Sequence, residues 1–168
     1  MDVPATPGSS RSRAGALRSI VGVMFAVLVG FSVIVFVLLG GTDTADVAVW
    51  MPGVLVLAVV VAAAWADRQW LRLPTFPAGQ QPAETNGAAH EAYAAHTVRA
   101  LMVIEAPLIA SILLAIITGS AWVMVFPALT GLAAIAFVCW PSVRNASRAA
   151  AKFEAGGART GFLEDFTR

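Results

Sequence analysis

Apolar residues in this chain come in four long blocks with almost no charge inside them. They cover residues 20–39, about 47–66, 99–119 and about 122–140. Each block is about 20 residues long, which is what a helix rising 1.5 Å per residue needs to cross a hydrocarbon core about 30 Å thick. None shows a polar face recurring at the helical period, so lipid rather than a single protein core is expected around them. The pattern predicts an all-α integral membrane protein of four transmembrane helices, arranged as two antiparallel hairpins.

The segments between the blocks set the domain organisation. Residues 1–18 are rich in Pro, Gly, Ser and Arg and are expected to form a disordered, basic cytoplasmic tail. A basic start before an apolar run also suits a signal peptide. The full-span length of the block, and the missing small-x-small cleavage pattern in residues 40–46, favour a first membrane helix instead. Residues 19–66 then form the first hairpin, with Trp50, Trp65 and Trp70 near the headgroup level where indole rings prefer to lie. Residues 67–98 are a cytoplasmic connection, broken by Pro74, Pro77, Gly79 and Pro82 and helical toward its end, where alanines accumulate. That helix is expected to run unbroken into the second hairpin, residues 99–141, which Pro141 closes. The C-terminal tail, residues 142–168, starts as a basic helix carrying Arg144, Arg148 and Lys152. It breaks at Gly156 and Gly157, and ends in an apolar cluster of Phe162, Leu163 and Phe166. That cluster suits either a partner protein or the cytoplasmic face of the protein itself.

Composition agrees with this reading: 58% of residues are hydrophobic, 12% are charged, and mean hydropathy is +0.77. The net charge of +1 conceals a strong segregation. All 11 Lys and Arg residues lie in the N-terminal tail, around the 67–98 connection, or in the C-terminal tail. The two remaining turns carry only Asp43 and Asp46. By the positive-inside rule the basic regions, and both termini with them, face the cytoplasm. Abundant Ala, Val and Arg with little Lys suit a GC-rich bacterial genome, and hence a multi-pass protein of a bacterial cytoplasmic (plasma) membrane.

Little in the chain looks like enzyme chemistry. There is no glycine-rich phosphate loop, no His-Glu-x-x-His and no paired cysteine, so no enzyme activity, cofactor or metal is expected. Cys139 is expected to be a small apolar residue. His90 and His96 are six apart, whereas helical metal pairs use three or four, so both are expected to be solvated or interfacial. Glu105 is the exception. It stands about six residues inside the third block, where an ionisable side chain costs about 3 kcal/mol to insert, and is the candidate ion- or proton-binding residue. Arg99, Pro107 and Ser111 are its candidate supporting residues. Three states are open to Glu105: neutral, reaching to Arg99 or Arg68, or facing a water cleft or another subunit. Pro107 removes a helical hydrogen bond to the carbonyl of Val103 and is expected to kink the helix one turn from the carboxyl.

The run from Arg99 through Glu105, Ala106 and Pro107 to Ile109 resembles the carboxylate-bearing helix of rotary ATP synthase c subunits. It is also similar to a loosely defined group of uncharacterised four-helix bacterial membrane proteins with a Glu-(Ala/Gly)-Pro third helix. The first resemblance implies a proton or sodium carrier with Glu105 as ion ligand. The glycine repeat of the c subunit has no counterpart in the first block, so the likeness points to the uncharacterised group. The leading expectation is a small non-enzymatic membrane protein that self-associates or serves as an accessory subunit of a plasma-membrane complex. The alternative is a proton- or cation-binding transport component using Glu105. The expected partners are the lipid bilayer and either further copies or other membrane-protein subunits, with no nucleic acid.

Overall fold

The computed structural model describes residues 9–40 and 48–167. The expected turn at residues 41–46, with Asp43 and Asp46, and the tail at residues 1–8 lie outside them. The described chain is all-helical: α1 (Ser9–Leu38), α2 (Trp50–Gln69), α3 (Pro82–Thr118), α4 (Trp122–Ala134), α5 (Val143–Phe153) and α6 (Phe162–Thr167). Four of its helices are long and apolar enough to cross a membrane, the fourth comprising α4 and its extension to Cys139.

The bundle is built on α2, α3 and α4, each packed along the other two. Leu55, Val59 and Ala66 of α2, Leu101, Ile104, Leu108 and Ile112 of α3, and Val123 and Met124 of α4 are buried between them. At Gly131 a Cβ would overlap the side chain of Leu108, so the absence of a side chain there lets α4 approach α3 closely. The turn joining these two helices is as short as expected. Gly119 adopts φ 68°, and its neighbour Ser120 donates its backbone N–H to the carbonyl of Ala115.

α1 lies outside this trio. It packs on α3 and α6 and lightly on α4, and it is not among the closely packed partners of α2, its neighbour in the chain. The first two helices are therefore not held as a packed pair. Residues 9–18, expected in the disordered tail, belong to the helix, and Ala14 and Leu17 are buried. Apolar residues interspersed among the polar ones give this end something to pack against, namely the folded tail.

At 37 residues, α3 is about 55 Å long and must project well beyond a bilayer core. It stays helical through Pro107, so the proline does not divide it. Its projecting half carries a cap made by the C-terminal tail. Phe76 donates its N–H to the carbonyl of Phe153, Ala78 to Gly156, and Ala158 to Phe76, stitching the connection to the tail. Gly156 is required here because a Cβ would strike the Phe76 carbonyl, and Gly157 turns the chain at φ 90°. Asn86 at the start of α3 donates to the Thr160 carbonyl and the Asp165 carboxylate, at 3.0 and 2.8 Å. Arg148 of α5 pairs with Asp67 at the end of α2 at 2.8 Å. The starts of α1 and α3, the end of α2 and the tail thus meet at one end of the bundle.

Candidate functional site in the groove between α1 and α3

Glu105 lies on the side of α3 that faces α1. One turn and two turns further along the same face stand Ile109, Ile112 and Leu113. Opposite them, α1 offers Val23, Met24, Val27, Leu28 and Phe31, again at spacings that keep one face together. The two faces do not close. They leave a groove of about 290 Å³, open on one side, with Glu105 as its one ionisable lining residue. The opening follows from how α1 is held: Ala14, Leu17 and Val21 are buried near the cap, whereas further along only Leu28 and Val35 are.

Glu105 is half-buried in the wall of this groove and has no hydrogen bond or ion pair among the described residues. Arg99 and Arg68 are exposed and neither pairs with it; the one ion pair among the described residues joins Arg148 to Asp67. Ser111 is fully buried, and its Oγ donates to the Leu108 carbonyl of its own helix at 2.7 Å. It lines a separate hollow with Ser32, too tight for water. Of the residues singled out from the sequence, the structure brings only Glu105 into the groove. Arg99 lies toward the cap and Ser111 in the core. Cys139 is buried, as expected of an apolar cysteine.

A second feature lies on α1, on a stripe flanking the groove face. Gly22, Ala26 and Gly30 follow one another at spacing four, and a Cβ added at either glycine would meet nothing within 4 Å. This small-residue face is open.

The cap holds the residues that sequence reasoning placed differently. His90 and His96 are buried rather than solvated. The imidazole of His96 lies 4.0 Å from the Trp70 ring, and that of His90 lies 4.8 Å from Phe162. Burial lowers the His96 pKa to about 4, with the charges of Arg99 and Arg148 adding to the effect and Asp67 opposing it. Burial also raises the Tyr93 pKa, with the nearby Arg18 charge opposing. Among the described residues no group of His, Cys, Asp or Glu is placed to hold a metal ion. The apolar cluster of the tail turns inward: Phe162 packs on Tyr93 and Phe153, and Phe166 on Tyr93. Arg18 closes this from α1, with its guanidinium 4.8 Å from the centre of the Phe166 ring and bonds to the carbonyls of Pro141 and Phe166.

Asn145 is one of the buried polar residues that sequence reasoning missed, with Thr85, Thr97, Ser120 and Thr160. The chain after α4 widens into a π-helical turn, Ile135–Cys139, closed by the N–H of Trp140 on the carbonyl of Ile135. Carbonyls freed there need donors, and the Asn145 amide reaches those of Phe137, Val138 and Trp140. Its position in the first turn after Pro141 was the available signal.

No known protein family, curated protein or solved structure matches this chain. The geometry of the chain itself carries the functional reading.

Proposed function

We propose that the chain is a small, non-enzymatic, multi-pass protein of a bacterial cytoplasmic membrane that self-associates or serves as an accessory subunit of a larger membrane complex. The observation that carries this reading is the small-residue stripe of α1. At Gly22 and Gly30, with Ala26 between them, an added Cβ would meet nothing within 4 Å, and small residues at spacing four let two helix backbones approach within a bilayer. The position of α1, outside the packed trio and anchored mainly at its cap end, suits a helix that also serves an intermolecular contact. Both termini are placed on the cytoplasmic side. The gathering of the basic segments at one end of the bundle supports that placement, because one leaflet then receives all of them.

The test is the oligomeric state of the protein in lipid nanodiscs or by native mass spectrometry. Wild type is expected as an oligomer. Gly22→Leu with Gly30→Leu is expected to shift it to monomer with unchanged helical content, since both positions face open space. A monomeric wild type that captures no membrane subunit, or a variant that assembles as wild type does, overturns the reading.

A second reading is favoured by Glu105. A carboxyl that is half-buried in an apolar groove, without a hydrogen-bond or ion-pair partner among the described residues, is available to something from outside. We propose as the alternative that Glu105 binds a proton or a cation, and that the chain is then a transport component. Carbodiimide modification confined to Glu105, and lost in Glu105→Gln, supports this reading. Resistance of Glu105 to the reagent, together with no cation binding that depends on Glu105, removes it.

A further inference from the structure

We propose that the groove between α1 and α3 binds an apolar organic cation, of the quaternary ammonium or phosphonium class, with Glu105 as its counter-charge. The proposal rests on the cation-binding reading of Glu105 and names the kind of cation. Its basis is the composition of the groove wall. Apart from Glu105, every lining residue is Val, Leu, Ile, Met or Phe.

That wall discriminates among cations. A bare inorganic ion needs several oxygen ligands, six or more for the hard divalent ions. Glu105 supplies at most two, and the nearest hydroxyl along α3, Ser111, is turned away and committed to the Leu108 carbonyl. An ion that kept its water would press that water against side chains unable to hydrogen-bond it, and would lose the exchange. A neutral acyl chain would fill the space but leave the carboxylate without a counter-charge. An organic cation whose charge is spread and covered by hydrocarbon satisfies both parts of the wall. Its substituents bury apolar surface against Met24, Val27 and Ile112, and its charge sits beside a carboxylate in a medium where screening is weak. Phe31 adds an aromatic side chain to the same wall, and cations are attracted to aromatic rings. The volume, about 290 Å³, is near the lower end of the range for small-molecule sites. The groove opens sideways between two membrane helices, so such a ligand can enter from the bilayer, where amphipathic cations concentrate.

The probe is tetraphenylphosphonium. Its binding to the full-length protein in nanodiscs is measured by equilibrium dialysis, with empty nanodiscs subtracted. Tetraphenylborate, of the same shape and opposite charge, serves as competitor. Wild type is expected to bind the cation saturably. Glu105→Gln is expected to weaken binding at least about tenfold, because one partner of a desolvated charge pair is gone. Glu105→Asp is expected to retain most of it, and Phe31→Ala to lose about threefold. Tetraphenylborate is expected not to compete. Bound cation is also expected to protect Glu105 of wild type from carbodiimide, a readout that needs no variant to fold. Absence of saturable binding, equal competition by the borate, or unchanged affinity in folded Glu105→Gln overturns the proposal. Carbodiimide keeps the two readings apart. Glu105 that is modified in a protein failing to bind the phosphonium leaves the proton site standing and sinks the organic cation. Glu105 that is neither modified nor involved in binding sinks both.

Discussion

His96 shows how much a single residue can depend on its neighbours. In sequence it is one of two histidines on an alanine-rich polar helix, where solvation is the ordinary outcome. In the structure it is buried beneath Trp70, and the positive charges of Arg99 and Arg148 join burial in favouring its neutral form. A histidine whose pKa falls from its ordinary 6.5 to about 4 on folding takes up its proton first in the unfolded chain. The stability this contributes is complete above the ordinary pKa and is lost as the pH falls toward the folded value. Thermal unfolding of the cap is therefore expected at a lower temperature at pH 5 than at pH 7, and His96→Leu is expected to reduce that difference. An equal difference in the variant would assign the pH dependence to other groups. Glu105 is the contrasting case. A carboxylate inside an apolar block is conspicuous in any sequence, but whether Arg99 or Arg68 reaches it depends on side-chain directions that residue spacing does not contain.

Among the elements, α1 is the most loosely integrated. Its sequence reads as an ordinary membrane span, and nothing in the hydropathy says which helix it will touch. Packing decides that: α2, α3 and α4 fill one another's surfaces, and α1 is left to rest on α3 and on the cap. Arg18 is the clamp at its inner end, through the Phe166 ring and two long hydrogen bonds to carbonyls. Arg18→Ala is expected to remove about 1 kcal/mol of local stability, read as roughly fivefold faster hydrogen exchange in α6 and in the first turns of α1. Exchange rates in α4 are expected to stay unchanged. Equal acceleration throughout the bundle would mean that α1 and the tail are not a separately opening unit. α5 was legible as a helix from its basic spacing, whereas the segment that forms α6 read only as an apolar cluster, and the docking of neither was legible. Backbone bonds from Phe76 and Ala78 to the tail decide it, and they join segments about 80 residues apart.

At the scale of the whole molecule, the cap gathers the starts of α1 and α3, the end of α2 and the tail at one end of the bundle, and the proposed topology puts that end in the cytoplasm. A protein that keeps its basic segments and cap in the cytoplasm is expected to expose residues on the α3 start to that side and those before α2 to the other. In a Cys139→Ala background, Glu84→Cys is expected to resist a membrane-impermeant maleimide added to intact cells and to react once the cells are opened. Val49→Cys, on an exposed position before α2, is expected to react in intact cells. The reverse pattern would invert the topology, and with it the side from which Glu105 is nearer.

The four helices long and apolar enough to span a membrane and the all-helical class follow from the sequence by itself, because each depends on local quantities. Twenty apolar residues in a row must find lipid, and a backbone in lipid must satisfy its own hydrogen bonds, which a helix does within one segment. The continuity of α3 from the polar connection into the membrane and the tight turn at Gly119 belong to the same class. Tertiary structure alone decided which helices pack, and so where the open surfaces lie. Lipid is as apolar as the side chains facing it, so hydrophobicity cannot choose a helix's neighbour; fit does, as at Gly131 against Leu108. The same choice leaves Glu105 in an open groove rather than paired with an arginine, and folds Phe162 and Phe166 onto Tyr93 rather than leaving them to a partner.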